Sequence, residues 1–288
     1  MANIDDPAPL VFKDIHINGA MELVKEAGWN QLPDDWQLMA NFGKAVILQD
    51  KEKAIYATAL ALPYSTGFGW VSMVLVSKAM RRKGIATHLL ADRIAWLRQR
   101  NLVPILDATE DGEQVYKKLG FINGIKITRW QGVGQEFKQG QKSSIEQNSV
   151  RIATEDSHDW IRQLEADVFG ADRSVLIDDF LNRPKSMCFV TTDSQSGFVI
   201  IRQGNRASQI GPLVAESEHD AKQLLNAALD AIEGPVFFDL QNNRTNLTSH
   251  VVKMGFEKQR SFQRMSLGNM PDFDGNGRAM IIAGPEYG

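Results

Sequence analysis

Apolar and polar positions along this chain follow two rhythms, one of period two and one near 3.6, and together they predict an ordered series of strands and helices. Val11 to Ile17 steps between apolar and polar residues, as a half-buried strand does. Gly19 to Ala27 reads as a short helix stopped by Gly28, and Pro33 opens another over Asp34 to Ala40. Ala45 to Gln49 and Ala54 to Leu62 read as strands joined by the charged turn Asp50 to Lys53. Phe68 to Val76 is almost wholly apolar, which predicts a central strand buried on both faces. In the helix that follows, Ile85, Leu89, Ile94 and Leu97 share one stripe, while Arg93, Arg98 and Arg100 fall off it. Val103 to Leu106 predicts a short strand, and Glu113 to Leu119 a short helix ending at Gly120. Strands alternating with helices in this way predict an α/β or α+β sheet with helices on its faces.

Gly132 to Ser149 breaks the rhythm: it is rich in Gly, Gln and Ser and poor in apolar residues, so it reads as a linker. A second globular pattern runs from Val150 to about Leu267, and the segment after Gly268 carries Met280-Ile281-Ile282-Ala283, which predicts a tail docked on the body. The expected organisation is one domain over 1–131, a linker over 132–149, a second domain over 150–268 and the tail over 269–288. The second pattern repeats the first in outline. Leu89-Leu90, then Pro104-Ile105-Leu106-Asp107, then Leu119-Gly120-Phe121 finds its counterpart in Leu224-Leu225, then Pro235-Val236-Phe237-Phe238-Asp239, then Met254-Gly255-Phe256. Three matches in one order predict a tandem fold.

Composition narrows the classes. The 288 residues are 43% hydrophobic and 23% charged, with a net charge of -3, an ordinary water-facing surface with no basic excess pointing to nucleic acid or to an acidic membrane. The single cysteine, Cys188, lies in the apolar run Met187-Cys188-Phe189-Val190, which suits a buried residue and a reducing, cytoplasmic setting. No Cys/His cluster has metal-site spacing, so no metal is expected. The opening residues lack the basic-then-apolar order of a secretory leader, and no apolar run approaches the roughly 20 residues of a membrane helix.

The chemistry concentrates where the central strand turns into a helix. Val74-Leu75-Val76 ends the strand, and Arg81-x-x-Gly84-x-Ala86 opens the helix. A helix start carries free backbone N–H groups and a partial positive charge, so it holds anions. Gly84 and Ala86 keep the surface low, Arg81, Arg82 and Lys83 add charge, Thr87 adds a hydroxyl, and Ile85 anchors the helix. The set suits a diphosphate on a long carrier whose amides pair with the strand edge. There is no Gly-Lys-Ser/Thr, and Gly-x-Gly-x-x-Gly is absent after this strand.

Val76 to Ala86 resembles the signature of the GNAT N-acetyltransferases, and Asp107-Ala108-Thr109 through Tyr116-Lys117-Lys118-Leu119-Gly120-Phe121 resembles the motif that follows it; the likeness spans roughly Leu10 to Trp130. It implies two tandem GNAT-like domains, each with a mixed, mostly antiparallel central sheet flanked by helices. It implies acetyl-CoA as co-substrate, bound by Val74, Leu75, Val76 and Arg81 to Thr87, and direct attack by an amine. In the family the tyrosine matching Tyr116 protonates the departing thiolate, a role open to a phenol whose ordinary pKa is about 10. The sequence departs from the family pattern where a carboxylate often sits on the fourth strand: Phe68 to Val76 has no Asp or Glu. The base is then a water chain, Asp107, or a carboxylate from the second half, with Asp107 more simply read as a brace.

In the second half the segment matching the cradle, Val214 to Ala221, has three carboxylates and neither glycine nor arginine, and Val251 stands where a tyrosine would be. Like charge repels a diphosphate, so this half reads as a relative without its own cofactor site. It resembles the second domain of certain two-domain acetyltransferases through Phe169-Gly170-Ala171-Asp172-Arg173, Ile210-Gly211-Pro212-Leu213 and Ala283-Gly284-Pro285-Glu286, and the resemblance implies a domain that shapes the acceptor pocket. Asp172 and Asp178, with Asp179 beside them, are the acidic residues placed to meet a cationic amine. The expected partner is a small-molecule or peptide amine, not nucleic acid or membrane, and monomer and dimer both stay open. The competing reading is a non-catalytic acyl-CoA sensor or interaction module.

Overall fold

A computed structural model describes residues 7–134, 149–192 and 195–288. The first half runs β1 (Leu10–Val11), α1 (Ile17–Ala27), α2 (Pro33–Phe42), β2 (Lys44–Gln49), β3 (Ile55–Pro63), β4 (Phe68–Val76), α3 (Ile85–Arg98), β5 (Val103–Thr109), α4 (Glu110–Lys118) and β6 (Ile122–Gly134). The second runs β7 (Val150–Ile152), α5 (Glu155–Phe169), α6 (Ser174–Asn182), β8 (Met187–Thr191), β9 (Gly197–Arg202), β10 (Ser208–Ala215), α7 (Glu218–Asp230), β11 (Gly234–Gln241), α8 (Thr245–Lys253), β12 (Glu257–Ser266) and β13 (Ala279–Ile281). Residues 132–134 of the expected linker finish β6, and its residues 135–148 lie outside the described residues.

Two readings from the apolar pattern need correction. The strand expected over Val11 to Ile17 is only Leu10–Val11, followed by a turn of 3-10 helix, Asp14–His16, and then α1. A side chain decides this: the Lys13 N–H donates to Nδ1 of His16 at 3.0 Å, which closes the turn and starts the helix early. Arg93, expected on the exposed side of α3, is only 4% exposed. Its guanidinium is satisfied by the Lys44 carbonyl at 3.0 Å and by the Asp92 carboxylate, so burial leaves no donor stranded.

The strands join into one sheet in the order β1-β2-β3-β4-β5-β12-β6-β11-β13-β10-β9-β8-β7. The last long strand of each half sits in the other half's sheet. β12 lies antiparallel to β5 with Arg264 opposite Asp107, and β6 lies antiparallel to β11 with Arg129 opposite Asp239. The two exchanged strands also pair with each other. All pairs are antiparallel except β4–β5 and β10–β11.

Both parallel pairs are short. β4 and β5 match only over Phe68–Trp70 and Val103–Ile105 and then part. The parting follows a bend at Met73, whose φ of 52° is left-handed and whose carbonyl accepts from Thr58 Oγ1 at 2.8 Å. β10 and β11 match over Ser208–Ile210 and Val236–Phe238, and there β13 enters the gap, with Ile281 opposite both Leu213 and Leu240.

One apolar layer, including Trp36, Trp70, Tyr64, Phe68 and Phe180, covers the sheet face under α1, α2, α5 and α6 and spans both halves. On the other face Val71, Leu106 and Ala108 pack under α3 with Leu90 and Leu97. The tail threads the first layer: Tyr64 Oη donates to the Tyr287 carbonyl at 2.6 Å, Trp70 Nε1 to the Pro285 carbonyl at 2.9 Å, and Ser72 Oγ to the Glu286 carbonyl at 2.9 Å.

Cys188 is buried on β8, and burial pushes its thiol up to about 12. Thiolate, the reactive form, is therefore scarce at pH 8. We expect Ellman's reagent at pH 8 to leave the folded protein unlabelled and to titrate about one thiol in guanidinium; fast labelling of the folded chain would contradict the burial.

Candidate functional site

The parted ends of β4 and β5 leave a notch through the sheet. At its rim, β4 ends at Val76, a single 3-10 turn follows, and α3 opens behind Gly84. Gly84 has φ 81°, left-handed backbone, and a Cβ built there would meet no heavy atom within 4 Å. The glycine is thus demanded by conformation, and the space above it is clear. No side chain caps the start of α3, so its first N–H groups stay free. Arg81, Arg82, Lys83, Ala86 and Thr87 are exposed around that start, with Arg82 also left-handed at φ 60°. Arg81 Nε donates to the Val76 carbonyl at 3.1 Å, tying the turn to the strand end. Ile85 and Val76 pack together against the sheet beside the buried Leu89. The residues present fit a diphosphate carrier: free donors, positive side chains and no Cβ at the closest approach.

The matching place in the second half is closed twice over. Ser217 caps α7, its Oγ accepting from the Asp220 N–H at 3.1 Å, and Glu218 and Asp220 fill the first turn. The gap between β10 and β11 is filled by β13.

A cavity of about 120 Å³ occupies the notch. From the α3 side it is lined by Val71, Val74, Leu106 and Tyr116. Tyr116 sits on α4, and burial raises its phenol above the usual value. From the opposite face the cavity is lined by Trp29 and Gln31 of the α1–α2 connection, by Asp107, by Arg129 of β6, by Arg260 and Phe262 of β12, and by Glu286 of the tail. The exchanged strands supply three of those seven side chains, Arg129, Arg260 and Phe262.

Its charges fall into two kinds. Asp107 receives two hydrogen bonds of 2.9 Å from Arg264, both side chains being almost wholly buried, so it braces β5 against β12. Arg129 donates twice to Asp239 at 2.8 Å, and Gln209 Nε2 adds a third bond to that carboxylate at 3.0 Å. Glu286 and Arg260 differ: among the described residues neither takes part in an ion pair. Burial raises the Glu286 carboxyl, and burial together with the nearby Arg129 lowers the Arg260 guanidinium.

Of the residues singled out from the sequence, Val74 and Tyr116 meet in the cavity, and Arg81 to Thr87 stand at its rim. Asp172 and Asp178 do not line it. Asp172 is exposed and accepts from the Ser174 N–H at 2.8 Å, while Asp178 is bound by Arg162. Arg183 likewise holds Asp179 at 2.6 Å. Their carboxylates serve helix starts and ion pairs: Asp172 and Asp179 have partners two and four residues on, and Asp178 is met by Arg162 from α5. Arg129, Arg260, Phe262 and Glu286 were not anticipated. For Glu286 the signal was the motif Ala283-Gly284-Pro285-Glu286; the others lie on strands whose exchange no local pattern announces. Among the described residues no group of His, Cys, Asp and Glu is arranged to hold a metal ion, and no helix is long and apolar enough to cross a membrane.

A notch with a free helix start on one side and a wall built by both halves on the other has room for two ligands to meet from opposite faces of the sheet. Two family models match the chain, one for an acetyltransferase (GNAT) family over residues 18–121 and one for an acetyltransferase (GNAT) domain over residues 161–276, and the chain belongs to the GNAT acetyltransferases. It is 22% identical over 247 residues to the uncharacterized N-acetyltransferase YitH of Bacillus subtilis (strain 168), covering 84% of this chain and 85% of that one. Its fold is similar to that of a protein described as a candidate acetyltransferase from Pyrococcus horikoshii, with TM-score 0.79 and 17% identity over 100% of this chain and 99% of that one. It is also similar to a tandem GNAT protein from the clavulanic acid biosynthesis pathway, with TM-score 0.65 and 13% identity over 92% of this chain and 99% of that one.

Removing one partner of a buried ion pair strands the other charge. Asp107→Ala should therefore cost about 3–5 kcal/mol in urea unfolding, and Asp107→Leu with Arg264→Met should recover most of it. A loss below about 1 kcal/mol for the single variant would remove the pair as a brace.

Proposed function

We propose that this acetyltransferase moves an acetyl group from acetyl-CoA to a primary amine by direct attack within a ternary complex. One observation carries the reading: the cavity passes through the sheet, so a thioester entering from the α3 side and an amine entering from the opposite face meet at the bend in β4. The pyrophosphate lies over Gly84 on the free N–H groups of α3, among Arg81, Arg82 and Lys83. The carrier arm follows Val74, Leu75 and Val76 along the strand edge that β5 leaves unpaired after Trp70.

The neutral amine attacks the thioester carbonyl carbon, and the charge that gathers on the carbonyl oxygen is met by a backbone N–H of β4 near Met73. The carbon–sulfur bond then breaks. Tyr116 gives its proton to the thiolate; its raised pKa keeps that proton in place at neutral pH until sulfur, a developing base, takes it. The amine belongs to a small molecule or a peptide. The single buried cysteine suits a cytoplasmic setting.

Calorimetry with acetyl-CoA tests the first step: binding is expected in the wild type and lost in Arg81→Ala combined with Gly84→Glu, whereas unchanged affinity in that variant would move the cradle elsewhere. Tyr116→Phe is expected to lower kcat by about 10²-fold or more while the acetyl-CoA Kd changes less than about threefold. An unaltered kcat would take Tyr116 out of the reaction.

A further inference from the structure

The charges around the cavity sort into ion pairs that hold the fold together and two groups without an ion-pair partner among the described residues, Glu286, which has the Arg202 and Arg129 guanidiniums near it, and Arg260. Asp107 is bound by Arg264, and Asp239 is bound by Arg129 and Gln209. What is left on the acceptor face is one carboxylate, Glu286, and one guanidinium, Arg260. They line the same cavity without pairing with each other. Among the described residues the one side-chain hydrogen bond of Arg260 is from Nε to Gln259 Oε1 at 2.8 Å, and neither terminal nitrogen has a hydrogen-bond partner there.

A buried Glu286 and a half-buried Arg260 without ion-pair partners are costly to keep, and a ligand that completes both would offset that cost. Here two opposite charges stand apart in one small cavity, so the ligand that completes both is itself a zwitterion. Position decides which end goes where. Glu286 is fixed to β4: its carbonyl accepts from Ser72, and the preceding Pro285 carbonyl accepts from Trp70. Ser72 adjoins the bend at Met73, where the thioester carbonyl is held in the reading above, so the Glu286 end is the reacting end. Arg260 stands beyond β5. Phe262 is opposite Thr109, the last residue of β5, and Arg260 lies one further step along β12, opposite Arg129 of β6. It lies on the face away from the helix start of α3, so the pyrophosphate is not its partner.

Resting on the acetyl-CoA reading above, we propose that the acceptor is an amino acid or similar small amino-carboxylate, its amine against Glu286 and its carboxylate on Arg260. Glu286 attracts the ammonium and takes one of its protons, which it passes to solvent; the neutral amine then attacks the carbonyl carbon, the carbon–sulfur bond breaks as Tyr116 protonates the thiolate, and the second proton, lost from nitrogen as the amide forms, returns to the Tyr116 phenolate through water. Arg260 is the specificity residue, since a planar guanidinium with two free nitrogens grips a carboxylate in a bidentate way. Trp29 and Phe262 line the same cavity and give it apolar surface.

The test is a thiol-release assay with acetyl-CoA, feasible because Cys188 is buried. The panel comprises the protein amino acids, β-alanine and 4-aminobutyrate, the decarboxylated amines that match them (histamine, cadaverine, isoamylamine and others), and phosphoethanolamine. At least one amino acid is expected to exceed its decarboxylated amine by about 10²-fold or more in kcat/KM, the scale on which a site built to bind a polar group rejects an analogue without it. In Arg260→Ala that ratio is expected to fall to within about fivefold, through the KM of the amino acid, and Arg260→Lys to restore part of it. Acetyl-CoA binding to Arg260→Ala by calorimetry checks that the variant is folded. Glu286→Gln is expected to lower kcat for amino acid and amine alike. Free amines or phosphoethanolamine acetylated as well as every amino acid would overturn the proposal and leave acetyl transfer standing, as would a ratio unmoved in Arg260→Ala. Acetyl-CoA binding with no turnover of any amine in the panel also overturns it. Absence of acetyl-CoA binding by the wild type would instead remove the reading beneath it.

Discussion

The placement of β12 between β5 and β6 governs the rest of the molecule. That one strand joins two sheets into one, closes the first half, and carries Arg260, Phe262 and Arg264 to the edge of the notch. Its register has to be right. A slip of one residue along β5 would turn Arg264 away from Asp107, bury two unpaired charges and point Arg260 and Phe262 at the wrong face. The Asp107–Arg264 pair is thus a registration device as much as a brace, and Arg129–Asp239 does the same for β6 on β11.

How much of this was legible beforehand depends on how far apart in sequence the cooperating residues lie. The geometry of the strand end and helix start was legible because strand end, turn, glycine and helix start are contiguous from Val74 to Thr87. The repeat was readable because Gly120 and Gly255 each take left-handed backbone, at φ 91° and 81°, after a short helix, a constraint that marks both copies. The far wall of the cavity was not. Trp29, Arg129, Arg260 and Glu286 come from separated segments, and nothing local to each says that an exchange of strands will bring them together. Asp172 and Asp178 attracted notice as acids near a loop, yet Ser174 and Arg162 already occupy them. Arg93 shows the same limit from the other side: amphipathic spacing describes an average arginine, and a single carbonyl on a neighbouring strand was enough to draw this one inside.

The asymmetry between the halves has a physical account as well. A parallel pair of strands that parts must fill the gap with something. The first half leaves it open behind a helix start without a cap; the second fills it with β13 and satisfies its helix start with Ser217. The segment that leaves β13 then crosses to the first half, where Pro285 and Glu286 dock on Trp70 and Ser72. The same stretch of chain that seals one notch furnishes the other.

The exchange also sets a schedule for synthesis. β5 leaves the ribosome with no strand to cover its outer edge, because its neighbour in the finished sheet is β12 and not the β6 that follows it. Roughly 150 residues must be added before that neighbour exists, which at about 5–20 residues per second takes on the order of ten to thirty seconds. For that interval an apolar strand edge with free N–H and C=O groups is open to any other chain. Nascent-chain holdases that shelter such an edge, and a translation rate quick enough to shorten the wait, then matter to the yield of this protein in a way that a fold closing each half in turn would escape.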